Sequence, residues 1–311
     1  MYRKNVIGGV LVTLIALTLF ASTPLGLATA LKAERLMAGL QDRLLVVNDV
    51  EWHWSERGDG EPFILLHGFA GNRNHWSRVA QHLEGTSRFL IPDIPGFGDS
   101  TVLDSSVDFG VDQQLLRLVK WLDELKLKKV HIGGHSMGGR LAFLFASRFP
   151  DRVLSLYLMC PSGITEGRTS EFHRTLNETG INLATPKTMD EFDKLNAQAF
   201  EQMPWIPPPL YRQLGRDLLV RRSLNMKIWD DLKRPAMSLE LLTASLPPVP
   251  ITTIWGKEDR LLNPTVVPIL KAALPEMSDQ LLEGVGHMPL VEVPKVTAAS
   301  IDQHLRRQIS R

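Results

Sequence analysis

Between Val130 and Pro150 a short apolar run, Val130–Gly133, enters the turn Gly134-His135-Ser136-Met137-Gly138 and leaves as a helix. A strand that reverses into a helix within so few residues brings the two backbones almost into contact. Only small residues two positions either side of the apex permit that approach. The turn raises Ser136 above the strand end and aims the first N–H groups of the following helix at the same point. Between a predicted strand and a predicted helix, this pattern points to a serine nucleophile at the strand's carboxyl end.

The rest of the chain agrees with that placement. Leu44–Val47 and Val50–Trp54 flank Asn48-Asp49 and predict two strands joined by a tight turn. Phe63–Leu66 and Phe89–Ile91 read as buried strands, Leu115–Leu127 carries helical periodicity, and Val153–Met159 is a further apolar strand. Strands alternating with helices at this spacing predict right-handed crossovers and a mostly parallel twisted sheet flanked by helices, an α/β class. Chemistry in such sheets gathers at the carboxyl ends of the strands. From Ser162 to Pro248 the rhythm becomes helical, and the α/β alternation resumes with Ile251–Trp255, a helix near Pro264–Ala273, a strand near Gln280–Glu283 and a last helix from Pro294. A helical insertion late in such a sheet reads as a cap. The expected organisation is an N-terminal segment 1–40, a core in two parts (41–161 and 249–311), and the cap 162–248. Within the cap, Met203, Trp205, Tyr211 and Trp229 are candidates either to line a pocket or to form the cap's own core.

A serine hydroxyl is a poor nucleophile until a base takes its proton and a third group orients the base. Of the nine histidines, His287 stands out in Gly284-Val285-Gly286-His287-Met288-Pro289, a glycine-flexed loop after a late strand. His135 adjoins the serine in the chain, so its side chain should point away from it, and His67 before Gly68 should brace its loop. The orienting carboxylate should follow an earlier strand: Ile251–Trp255 leads into Gly256-Lys257-Glu258-Asp259, which offers Glu258 or Asp259, whereas Cys160-Pro161-Ser162 offers none. Two backbone N–H groups must meet the developing oxyanion, one from Met137 and one from Phe69 in His67-Gly68-Phe69-Ala70-Gly71-Asn72.

In order and spacing, His67-Gly68-Phe69, Asp93-Ile94-Pro95-Gly96-Phe97-Gly98-Asp99-Ser100, Gly134-His135-Ser136-Met137-Gly138-Gly139, Trp255-Gly256-Lys257-Glu258-Asp259 and Val285-Gly286-His287 resemble the α/β-hydrolase superfamily over residues 44–310. Within it the chain is similar to bacterial lipases of the Psychrobacter/Moraxella type and to membrane-anchored monoacylglycerol lipases. The resemblance implies an α/β-hydrolase fold with a helical cap, a Ser136–His287–Asp259 triad with Asp259 preferred over Glu258, and hydrolysis of small-molecule or lipid carboxylic esters without a cofactor. Rival activities are C–C bond hydrolysis of the meta-cleavage type, although the turn after His67-Gly68 departs from that group's pattern, and cofactor-free haloperoxidation. A non-catalytic binding protein on the same scaffold is a further alternative.

Composition narrows the partners. With 35 Lys plus Arg against 34 Asp plus Glu, nothing favours nucleic acid. Cys160 is the only cysteine, and metal-ligand spacings are absent, so no disulfide and no metal are expected. Arg3 and Lys4 precede a charge-free run from Val6 to Leu31, longer than the roughly 20 residues that span a bilayer core. The run predicts an uncleaved membrane anchor that leaves the catalytic domain outside the cytoplasm. The alternative is a signal peptide cut at Ala28-Thr29-Ala30, which releases the protein to the periplasm or medium.

Overall fold

The computed structural model describes residues 18–84, 87–104, 107–164, 166–233 and 239–309. Helix α1 (Pro24–Met37) opens on the Thr23 side chain, which accepts the Gly26 N–H, with Pro24 at the first helical position where its missing donor costs nothing. Then follow strands β1 (Gln41–Val47), β2 (Val50–Arg57) and β3 (Pro62–Leu66), the short helix α2 (Ser77–Ala80), β4 (Arg88–Pro92), β5 (Thr101–Val102) and helix α3 (Val111–Glu124). The central pair, β6 (Val130–His135) and helix α4 (Met137–Arg148), leads to β7 (Val153–Met159). Five helices form the insertion: α5 (Glu171–Thr179), α6 (Met189–Ala199), α7 (Pro208–Val220), α8 (Arg222–Leu232) and α9 (Leu239–Ala244). The chain closes with β8 (Ile251–Gly256), α10 (Val266–Ala273), β9 (Ser278–Leu282), α11 (Pro289–Glu292) and α12 (Pro294–Ile309).

The strands form one sheet in the order β1-β2-β4-β3-β6-β7-β8-β9, with β5 against β2. The β1–β2 hairpin turns at Asn48, whose φ of 51° lies in the left-handed region that asparagine tolerates. Both β1–β2 and β2–β4 pair antiparallel, and the remaining ladders from β4 to β9 are parallel. Buried on both faces, β6 and β8 carry no exposed residue, as parallel strands covered by helices require. Helix α3 buries Val111, Leu115, Leu118, Trp121 and Leu122. Trp121 stacks on Trp52 of β2 at 5.0 Å and meets Trp54 edge-on at 5.6 Å.

Register decides where the site forms. Leu66 pairs with Gly134, His135 with Met159, Met159 with Ile254, and Gly256 with Leu282. The carboxyl ends of β3, β6, β7, β8 and β9 therefore come level, and the loops leaving them share one rim of the sheet.

The apolar run at the N-terminus departs from the expectation of one continuous span. Residues 6–17 of that run lie outside the described residues. The helical residues 18–21 end at a turn, and the Thr23-Pro24 cap starts α1 as a separate helix. Leu27 and Arg35 of α1 are buried, and Arg216 of α7 donates to the Ser22 carbonyl at 3.4 Å. Pro24–Leu31 thus packs on the cap. Among the described residues no helix is long and apolar enough to cross a membrane.

Candidate active site

Ser136 sits at the β6–α4 turn with φ 54° and ψ −116°, a conformation costing a non-glycine residue on the order of 1–3 kcal/mol. Surrounding contacts hold it there. Its N–H donates to the Met159 carbonyl at 2.9 Å, and its own carbonyl accepts from Arg140 and Ser162, each at 3.0 Å. The flanking glycines are required by contact: a Cβ on Gly134 would lie 2.4 Å from the Gly138 backbone, and one on Gly138 would lie 2.5 Å from the Leu66 and His67 carbonyl oxygens.

His287 leaves the β9 loop and is 3% exposed. Its Nδ1–H donates to Asp259 Oδ2 at 2.7 Å, an arrangement that in the neutral imidazole puts the free lone pair on Nε2, at the far edge of the ring. Four donors converge on the Asp259 carboxylate. Oδ1 accepts the N–H groups of Leu261 and Leu262 at 2.9 and 2.8 Å, and Oδ2 also accepts the Trp255 indole N–H at 3.0 Å. Glu258 points elsewhere, accepting the Val285 N–H at 3.0 Å. The carboxylate paired with the imidazole is Asp259.

His135 turns away from the serine, and its Nε2–H donates to the backbone carbonyl of His287 at 2.7 Å. Burial first, then the neighbouring His287 ring, pushes its pKa well below the ordinary value. It is therefore a neutral tether on the loop that carries His287. His67 braces its own loop: Nδ1–H donates to the Gly68 carbonyl at 2.8 Å, while Nε2 accepts the Ile94 N–H at 2.9 Å. Burial lowers it to about 4.

The β3 loop carries Phe69 beside the serine, since a Cβ on Gly68 would lie 3.2 Å from Ser136 Cβ. Neither the Phe69 nor the Met137 N–H is engaged by another group among the described residues. An ion network that the motif Asp93–Ser100 did not disclose fixes this loop from below. Arg73 binds the fully buried Asp93 and donates to Asp99 at 2.7 Å, while Asp93 accepts the N–H groups of Arg73 and Asp99 at 2.6 and 2.8 Å. Asp42 extends the network to α1 through Arg35 at 2.8 Å.

Ser136, His287, Phe69 and Met137 all line one cavity of about 1050 Å³. Met203, Tyr211 and Trp229 of the cap line it too, as does α1 through Leu27, Ala28 and Leu31. Trp205 does not and is 80% exposed. The remaining donor cluster, Cys160 with Asp259 and His287, brings one ligand atom each within 4.8 Å. A cation there would have to displace the Nδ1 proton shared with Asp259, so the set fits a hydrogen-bonded pair better than a metal.

Residues 61–294 match the α/β hydrolase fold family, and the chain belongs to it. Within that class it is similar to Lipase 1 of Psychrobacter immobilis, 29% identical over 249 residues covering 79% of this chain and 77% of that one. It is similar also to human monoacylglycerol lipase ABHD6, 29% identical over 289 residues covering 86% and 82%. Among solved structures it resembles a membrane phospholipase A that is a bacterial virulence factor. The TM-score is 0.89 and the identity 29%, with both chains fully covered. The chain is an enzyme of the ester-hydrolase class.

Proposed function

We propose that the chain hydrolyses acyl esters of glycerol, monoacylglycerols included, by a two-step acyl transfer at Ser136. His287 Nε2 takes the Ser136 proton as the hydroxyl attacks the ester carbonyl. Asp259 holds the tautomer and stabilises the imidazolium, and the N–H groups of Phe69 and Met137 bind the oxyanion. The alcohol leaves with the proton from His287. Water, activated by the same imidazole, then hydrolyses the acyl-enzyme and restores the serine.

The observation that carries this reading is the strained Ser136 opening onto the same cavity as the 2.7 Å Asp259–His287 pair. The cavity volume, about 1050 Å³, lies just above the roughly 300–1,000 Å³ of small-molecule sites. Together with its apolar cap wall, that favours a lipid ester over a short one, as do the lipases to which the chain is similar. Ser136→Ala should abolish hydrolysis of p-nitrophenyl butyrate and of monoacylglycerols while the far-ultraviolet dichroism stays unchanged. Retained activity would refute the nucleophile.

The N-terminal segment is read as an uncleaved anchor that keeps the catalytic domain on the outer face of a membrane. Two features support it: the basic pair Arg3-Lys4 before the apolar run, and the position of Ala28-Thr29-Ala30 inside α1, directly after the buried Leu27. Cleavage there would remove part of the cavity wall. Comparing the mass of the purified protein with that of the full chain tests the point.

A further inference from the structure

The catalytic loop and the cap meet at a carboxylate that the triad does not use. Glu292, half-buried at the end of α11, accepts three backbone N–H groups. Oε2 takes those of Glu201 and Gln202 in the cap, at 3.0 and 2.8 Å, and Oε1 takes that of Gly286 at 3.0 Å. Gly286 immediately precedes the base. The same stretch of cap is bound to the catalytic loops elsewhere. The His287 N–H donates to the Ala199 carbonyl at 2.8 Å, and Arg260, next to Asp259, donates to the Ala197 carbonyl at 3.1 Å and pairs with Glu201. The approach is close: a Cβ on Gly286 would lie 2.8 Å from both Ala199 O and Glu201 N.

We infer that Glu292 is a positioning residue for His287, locking the cap strap 199–202 onto the base loop so that the imidazole is held in place only while the cap is seated. The backbone of His287 is then fixed on both sides, by the strap at its N–H and by His135 at its carbonyl. Neither tie touches the reacting atoms. A carboxylate suits the task because two oxygens accept from two chain segments at once. A carboxamide has one acceptor and turns an –NH2 toward the N–H groups on the other side.

The inference rests on the triad reading, and the experiment keeps the two apart. Wild type, Glu292→Gln and Glu292→Ala are titrated to completion with a fluorophosphonate, so that turnover of p-nitrophenyl butyrate is counted per reactive serine. Wild type that neither turns over nor labels at Ser136 refutes the triad itself. With active wild type, Glu292→Ala should lower kcat per titrated site by about 10- to 100-fold, the scale of a catalytic group displaced by about 1 Å. KM should stay near the wild-type value, and Glu292→Gln should fall between. Hydrogen exchange should rise together at 199–202 and 284–288. A purely structural role would lower Tm and the number of titratable sites but leave kcat per site unchanged, and that result overturns the inference. Should Glu292→Ala fail to fold, Glu292→Gln carries the same comparison.

Discussion

Replacing Asp259 with asparagine separates the charge of the orienting residue from its shape, and the geometry dictates how the amide must sit. The carboxylate meets Leu261 and Leu262 N–H on Oδ1, and Trp255 Nε1–H with His287 Nδ1–H on Oδ2. If the amide oxygen faces Trp255 and His287, its –NH2 opposes two backbone donors. If the oxygen faces Leu261 and Leu262, the –NH2 opposes the indole but can donate to an Nδ1 that has given up its proton. The second arrangement leaves fewer donors opposed, and the indole keeps a second acceptor in the Leu262 carbonyl at 3.1 Å. The stability lost should be about 1 kcal/mol, the scale of one ordinary hydrogen bond. Catalysis fares worse, because the proton now resides on Nε2 and the ring cannot receive that of Ser136. Loss of this carboxylate with geometry preserved costs a serine triad about 10⁴ in turnover, or about 5 kcal/mol of barrier. The assay is kcat on p-nitrophenyl butyrate per fluorophosphonate-titrated site, with urea unfolding run in parallel. Glu258→Gln is the control, since its amide oxygen can still accept the Val285 N–H, and its turnover should stay near that of wild type. A folded Asp259→Asn within about tenfold of wild type, or a reversal of the two variants, refutes the assignment.

The remaining expectations concern the scaffold under the oxyanion loop. Burial lowers His67 and His75 to about 4 against about 6.5 in an unfolded chain. Their contribution to stability is therefore full above pH 6.5 and is lost as the pH falls from there through 4, by at most about 3 kcal/mol for each. In urea unfolding, His75→Gln should flatten the fall between pH 6.5 and 5, and an unchanged slope contradicts the burial argument. Arg73→Met strands the fully buried Asp93 and should cost about 3–5 kcal/mol, with Arg73→Met/Asp93→Asn recovering part of it. Equal midpoints for Arg73→Met and wild type would show that the network does not stabilise the fold.

What could be read in the sequence was whatever needs a peculiar backbone. The elbow shows because Gly134 and Gly138 are the only side chains the strand–helix contact admits, and the parallel strands show because β6, β7 and β8 are apolar on both faces. The Asp259–Glu258 ambiguity was different, since both are carboxylates in one turn. Only coordinates reveal that one faces the imidazole and the other the Val285 N–H. Glu292, the tether from His135 to the His287 carbonyl and the Arg73–Asp93 pair were silent for a related reason. Each acts through contacts across 6 to 152 positions of chain, and a lone Glu, His or Arg carries no local mark of its distant partner. At the N-terminus a local signal is hidden instead by averaging. Hydropathy summed from Val6 to Leu31 joins two pieces, while Thr23-Pro24, a helix-start signal of cap and first-turn proline, stands in the middle of the run. That local signal marks the start of a separate helix, whose Leu27, Ala28 and Leu31 line the cavity. Hydropathy measures how much a segment avoids water, and the capping residue decides which apolar surface it meets.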